Sequence, residues 1–108
     1  MISQAAFFGG ADVADVSADR TLVCGSKRVQ ALTPQFSGPD LILPDARTLR
    51  LGGPQFYVLN LSGSYTLPVK DGGGSVLTTL AAGDAAICAL VEQADAAGTW
   101  AVQERTIA

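Results

Sequence analysis

The chain contains no histidine. Catalytic triads built on imidazole, His-ligated zinc sites and imidazole general bases are therefore excluded. Charge is sparse, at 16% of 108 residues, and seven bases against ten acids leave a net charge of −3. No clustered basic stripe fit to neutralise phosphates can be drawn, so nucleic acid is not an expected partner. Only two cysteines occur, Cys24 and Cys88, 64 residues apart and outside any CxxC spacing. Each lies in a mostly apolar run, where a thiol behaves as a small hydrophobe, and the expectation is two reduced core cysteines rather than a disulfide. The first basic residue is Arg20, so the amino terminus lacks the positive n-region of a secretory signal, and synthesis in a cytoplasm is expected. The charge-free stretch Leu51 to Val69 is interrupted by Gly52, Gly53, Pro54, Asn60, Ser62, Gly63, Ser64 and Pro68. It reads as strand, turn, strand, and no membrane span is expected.

What is present is an apolar fraction of 48% with 12 glycines, the balance of one compact domain. Residues 1–20 stand apart: an uncharged segment with Phe7-Phe8 and Gly9-Gly10, then Asp12, Asp15 and Asp19. They are read as an arm and a polar lead-in, with at most a short helical turn. Residues 21–108 then break into short β-type runs separated by turn chemistry, the pattern of an all-β sandwich or barrel. Ser64 to Lys70 alternates Tyr65, Leu67 and Val69 with polar neighbours, Pro68 directs that strand towards an edge, and Asp71 to Ser75 turns it into Val76 to Leu80. Phe56 to Leu61 is apolar on both faces, as expected of a central strand covered on both sides or buried in a subunit contact. Leu22 to Cys24, Val29 to Leu32, Leu41 to Leu43, Ala85 to Val91 and Trp100 to Ile107 bring the count to about eight strands, an all-β, jelly-roll-like small sandwich. A weak echo sets Thr21-Leu22-x-x-Gly25 against Thr48-Leu49-x-x-Gly52, with Val29 to Leu32 in step with Phe56 to Leu59 at an offset of 27. It supports a pseudo-duplicated sheet and no more.

No candidate site carries catalysis. Gly72-Gly73-Gly74-Ser75 lacks the following Lys-Ser or Lys-Thr of a phosphate loop and is a hairpin tip, and Gly25-Ser26-Lys27 is a turn. Asp40 with Asp45 and Asp71 with Asp84 are the conceivable acid–base pairs, but all neighbour turn residues and read as solvated turn acids. Asp12, Asp15 and Asp19 lack the alternation of a calcium loop. No cofactor and no metal is expected. Phe56, Tyr57, Tyr65 and Trp100 are read as core aromatics, with Trp100 beside the Gly98-Thr99 turn as an alternative sugar platform. Phe7 and Phe8 have no periodic strand or helix around them. An apolar pair on an arm either folds back over its own sheet or docks on a partner. Ile2, Phe7, Phe8, Phe56 and Tyr57 are thus the candidate contact residues.

The succession Gly53-Pro54-Gln55-Phe56-Tyr57-Val58-Leu59-Asn60-Leu61, Leu67-Pro68-Val69-Lys70-Asp71-Gly72-Gly73, Val76-Leu77-Thr78-Thr79-Leu80, Gly83-Asp84-Ala85-Ala86 and Ala97-Gly98-Thr99-Trp100 resembles small structural proteins of tailed-phage virions. These include head decoration, head-fibre and head-spike-base proteins, with relatives in gene transfer agents. The resemblance spans roughly Arg20 to Val102. It implies a non-enzymatic protein on the capsid surface of a virion, a homo-oligomer (trimer or pentamer) that holds the major capsid protein or other virion proteins and presents a fibre protein. Tail or baseplate attachment and a carbohydrate-binding β module remain alternatives. The matched positions are turns and core, so they carry over no functional residue.

Overall fold

The computed structural model describes residues 11–37, 39–49, 51 and 54–106. The arm residues Ile2, Phe7 and Phe8 lie outside the described residues. The described chain is an all-β sandwich of nine strands: β1 (Ala11–Val16), β2 (Arg20–Thr21), β3 (Val29–Pro34), β4 (Leu41–Ile42), β5 (Pro54–Asn60), β6 (Leu67–Lys70), β7 (Val76–Leu80), β8 (Asp84–Glu92) and β9 (Thr99–Thr106), with one 3-10 turn at Ala46–Thr48. Five strands form one sheet in the order β1-β3-β5-β8-β9, and four form the other in the order β2-β4-β6-β7.

The pairing is mixed. The first six strands visit the two sheets alternately, and each return lies parallel beside the previous visit: β1 with β3, β3 with β5, β2 with β4, and β4 with β6. Parallel neighbours need a long crossover, ordinarily a helix. Here the crossover is a strand of the opposite sheet, so the chain winds as a flattened coil. The antiparallel pairing of a jelly roll is confined to β5–β8, β8–β9 and the β6–β7 hairpin.

Alternation fixes what faces inward. On β3 the buried positions are Gln30, Leu32 and Pro34, and on β6 they are Leu67 and Val69. Val16, Leu32, Phe56, Val58, Cys88, Leu90 and Trp100 meet Leu22, Leu41, Leu43, Leu67, Val69 and Leu80 in one core. Gly98 closes one end. Its φ is +69°, and a Cβ there would lie 2.5 Å from Ala46 Cβ and 2.9 Å from Glu92 O. Only glycine fits, which gives the Gly-Thr-Trp sequence its physical reason.

Three expectations need correction. The lead-in at residues 11–20 is not a helical turn or a solvated approach. Ala11–Val16 is β1, with Ala14 and Val16 directed into the sandwich, and Arg20 begins β2. The strand expected at Leu22 to Cys24 ends at Thr21, and Val23 to Ser26 is a turn closed by Ser26 N to Val23 O at 2.9 Å. Pro68 does not mark an edge, since β6 lies between β4 and β7. The short β4 registers only with Val69 and Lys70, so no ladder bond is required of Pro68 on that side.

Asn60, fully buried at the end of β5, joins the two pairing modes. Its Nδ2 donates to Tyr65 O at 2.8 Å and to Leu80 O and Ala81 O at 3.2 Å, and its Oδ1 accepts from Ser62 N at 3.0 Å. The side chain thereby ties β5 of one sheet to the end of β7 in the other. Its backbone oxygen also takes Gly83 N at 3.0 Å. Replacing Asn60 with Ala strands several buried polar groups at once. The expected loss is about 2–4 kcal/mol of unfolding free energy by urea titration. A loss within experimental error would show that the junction is held by packing alone.

Candidate functional site

The carboxylates singled out as conceivable acid–base pairs are committed to local structure. Asp45 caps the 3-10 turn, accepting from Arg47 N at 2.9 Å and from Arg47 Nη2 at 2.8 Å, and those bonds hold its carboxyl below the usual range. Asp40 takes the Lys70 ammonium at 2.7 Å, which raises the pKa of Lys70. Asp71 is buried rather than solvated. Its Oδ1 accepts from Gly73 N at 2.9 Å and Ser75 N at 3.0 Å, stapling the hairpin whose Gly74 has φ +91°. Asp84 opens β8. Among the described residues no three of the His, Cys, Asp and Glu side chains gather to hold a metal.

The acids of residues 12–19 also have assigned places. Asp12 points inward from β1, where its Oδ2 accepts from Gln30 Nε2 at 2.9 Å and from Arg20 Nη2 at 3.2 Å. Arg20 Nε donates to Gln30 Oε1 at 3.1 Å, and Gln30 Nε2 also donates to Lys27 O at 2.9 Å. This network fills the first turn of the coil with paired polar groups. It ends the apolar core at β1, the edge strand of its sheet among the described residues. Asp19 accepts from Asp40 N at 2.9 Å. Asp15 points to the outer side of β1.

The aromatics separate. Trp100 is 8% exposed and its Nε1 donates to Ala97 O at 3.0 Å, so the ring is core and presents no sugar platform. Phe56 is 1% exposed; its ring centroid lies 6.5 Å from that of Trp100, and the Arg28 guanidinium sits 4.9 Å above it. Arg28 Nη1 is buried with no hydrogen-bond partner, and the ring face supplies the compensating interaction. Phe56 is therefore inside its own chain's core and offers no surface to a partner. Tyr57 points the other way and is 36% exposed, and Tyr65 is likewise partly exposed rather than core.

The side that Tyr57 occupies is apolar and in part exposed: Val13 and Tyr57 are open, Leu59 and Ile87 are half-buried, and Ala85 is buried. Across the outer side of the five-stranded sheet one register row runs Val13, Ala31, Leu59, Ala85, Arg105, and the next runs Ala11, Val29, Tyr57, Ile87, Gln103. Val13 is 78% exposed. The three central strands contribute no charge to either row. The outer side of the other sheet is mixed: Thr21, Ile42, Lys70 and Val76 share one register row, with Pro68 and Thr79 in another, so a charge stands in the middle of that face and the exposed Val76 at its margin. β5 is central, as its two apolar faces predict, but this chain covers only one of them. Of the five contact residues expected from sequence, Tyr57 alone lies on this surface, since Phe56 is internal and Ile2, Phe7 and Phe8 fall outside the described residues. Val13, Leu59 and Ile87 were not singled out. Their signal is the period of two in Ala11–Val16, Pro54–Asn60 and Asp84–Glu92, obscured in β1 by its acids and in β8 by its alanines.

Comparison with protein-family models, with curated proteins and with solved structures finds no match to this chain. Among the described residues no helix is long and apolar enough to cross a membrane.

Both cysteines are free, and they are not equivalent: Cys88 is buried, whereas Cys24 lies exposed in the 23–26 turn instead of in the core. Burial pushes the Cys88 thiol from 9.0 up to about 12. A thiol acid whose folded value is raised contributes stability below its unfolded value, and that contribution is lost as pH climbs between 9.0 and about 12. At pH 8 one thiol of the two is expected to react with a disulfide reagent in the native protein, and none after Cys24→Ser. The second is expected to appear only in denaturant, or as the protein loses stability above pH 9. Equal native reactivity of both thiols would contradict the burial of Cys88.

Proposed function

We propose that the protein is a non-enzymatic structural component of a virion, decorating the capsid as a head decoration protein or as the base of a spike or fibre. It does so as a homo-oligomer. The observation that carries this reading is the outer face of the five-stranded sheet, apolar and uncharged across its three central strands and partly exposed in the single chain. The resemblance of the segments from Gly53 to Trp100 to small tailed-phage virion proteins supports the same reading. A flat apolar face rimmed by polar residues is the form of a protein–protein contact. An 11.1 kDa chain with a correspondingly small core also gains stability from burial between subunits.

In this reading the arm, Ile2 to Gly10, is the part that grips the shell, docking Phe7 and Phe8 against the major capsid protein or another virion protein. Burying two phenylalanines contributes roughly 3–6 kcal/mol gross, less the entropy of ordering the arm. Several symmetry-related copies acting together convert that into firm attachment. Deleting residues 1–10 is expected to leave the β-type circular dichroism spectrum and the melting temperature nearly unchanged while abolishing incorporation into particles. Unfolding of the truncated protein would make the arm a missing part of the core. Normal incorporation would place the attachment surface on the sandwich instead.

A further inference from the structure

The outer face of the five-stranded sheet has an uncharged centre and rims of opposite sign. The row that begins at Val13 on β1 ends at Arg105 on β9. Asp15 lies on the same side of β1 as Val13, two residues further along, a step of about 7 Å that an arginine side chain can span. Both Asp15 and Arg105 are exposed, and neither has an ion pair or side-chain hydrogen bond among the described residues. The sheet is therefore an apolar strip with an acidic margin at β1 and a basic margin at β9.

That polarity distinguishes between the ways two such faces can meet. A rotation axis lying in the face and running across the strands sets β1 over β1, bringing Asp15 towards its own copy and Arg105 towards its own. A rotation axis parallel to β5 sets the β1 margin of one copy against the β9 margin of the other, so that unlike charges meet twice. The same axis keeps strand directions aligned, the arrangement in which twisted sheets stack face to face about 10 Å apart. The geometry points to a second copy of this chain as the occupant of the face, related by rotation about an axis parallel to β5. Tyr57 and Leu59 then lie in the buried centre, and Asp15 of each copy pairs with Arg105 of the other. This rests on the self-association in the proposed function and names its surface and its symmetry axis.

The test is made in solution with the full chain and needs no particle. Light scattering and sedimentation at micromolar concentration are expected to give twice the 11.1 kDa chain mass, and an odd-numbered oligomer would contradict the two-fold axis. Tyr57→Asp is expected to give a monomer with an unchanged circular dichroism spectrum. Val13→Asp, on the exposed margin, provides the same readout should Tyr57→Asp fail to fold. Asp15→Arg alone and Arg105→Asp alone each set like charges together and are expected to weaken association by about tenfold or more. The double variant Asp15→Arg/Arg105→Asp restores the pairs with their signs exchanged and is expected to associate close to wild type. A monomeric wild type, an oligomer indifferent to Tyr57→Asp and Val13→Asp, or a double variant no better than either single one would overturn the inference. An oligomer that survives all these substitutions leaves the virion reading standing and removes only this surface. A wild type that associates as expected through this face but does not enter particles does the reverse.

Discussion

The Asn60 amide has four bonds to satisfy inside an apolar sandwich, and the rest of the fold is arranged around satisfying them. A buried primary amide without partners is costly. Here its acceptors come from the link after β5, the end of β7 and the turn before β8. Up to this point the chain has wound in parallel, β3 beside β5 with Leu32 opposite Asn60. Beyond it β7, β8 and β9 are laid down antiparallel and close the coil. This one side chain joins the end of β5 to the end of β7 across the two sheets, while β6, which follows it, still lies parallel beside β4 before the antiparallel strands begin. The other end of the coil is finished by the Asp12–Arg20–Gln30 network, which gives the last inward positions partners of their own instead of an exposed apolar column.

With both ends of the coil accounted for, the broad sides of the sandwich are left, and they differ. The four-stranded sheet turns a mixed side outward, with Ile42 and Val76 flanking Lys70, which is tied to Asp40. The five-stranded sheet turns outward a surface that is apolar across its three central strands and half-buried there. Proteins that act alone seldom keep such a face. The proposed assembly-forming role rests on the charge-free central rows of that face. The same alternation that buries Phe56 exposes Tyr57, so core and contact surface are two readings of one strand.

Much of the architecture was legible in the sequence because it depends on local chemistry. The β6–β7 hairpin follows from alternation around Leu67 and Val69 and from a turn of Asp and Gly residues, and the central position of β5 follows from its apolar faces. What was not legible depends on pairing partners far apart in sequence. Parallel winding has no turn signature, since its connections are themselves strands of the other sheet. The internal echo came close: it matched Val29 with Phe56, whereas the structure pairs Val29 with Tyr57 and Leu41 with Val69, each 28 residues apart. A one-residue slip exchanges inner and outer faces, and only the correct register sets Gln30 beside Val58 and Leu32 beside Asn60 on the buried side. β1 was obscured because Asp12, an inward charge, breaks the apolar pattern, and the Arg20 and Gln30 partners that permit it come from later strands. Cys24 was assigned to the core because its neighbours Leu22 and Val23 are apolar, although Gly25-Ser26 already supplied the turn that exposes it. The contact surface was visible only at Tyr57, since Val13, Leu59 and Ile87 become one surface only once the strand order is known.

The central claim, that the outer face of the five-stranded sheet is where this protein meets its neighbours, is tested most directly by oxidative footprinting of its two tyrosines. Tyr57 and Tyr65 start from nearly the same exposure, 36% and 38%, and only Tyr57 lies on that face, so Tyr65 is a reference within the same molecule. The account predicts comparable oxidation of the two in dilute solution, and a severalfold fall at Tyr57, with Tyr65 unchanged, as concentration is raised through association. Oxidation that stays equal at both tyrosines in the associated protein, or protection that falls on Tyr65 instead, would contradict it.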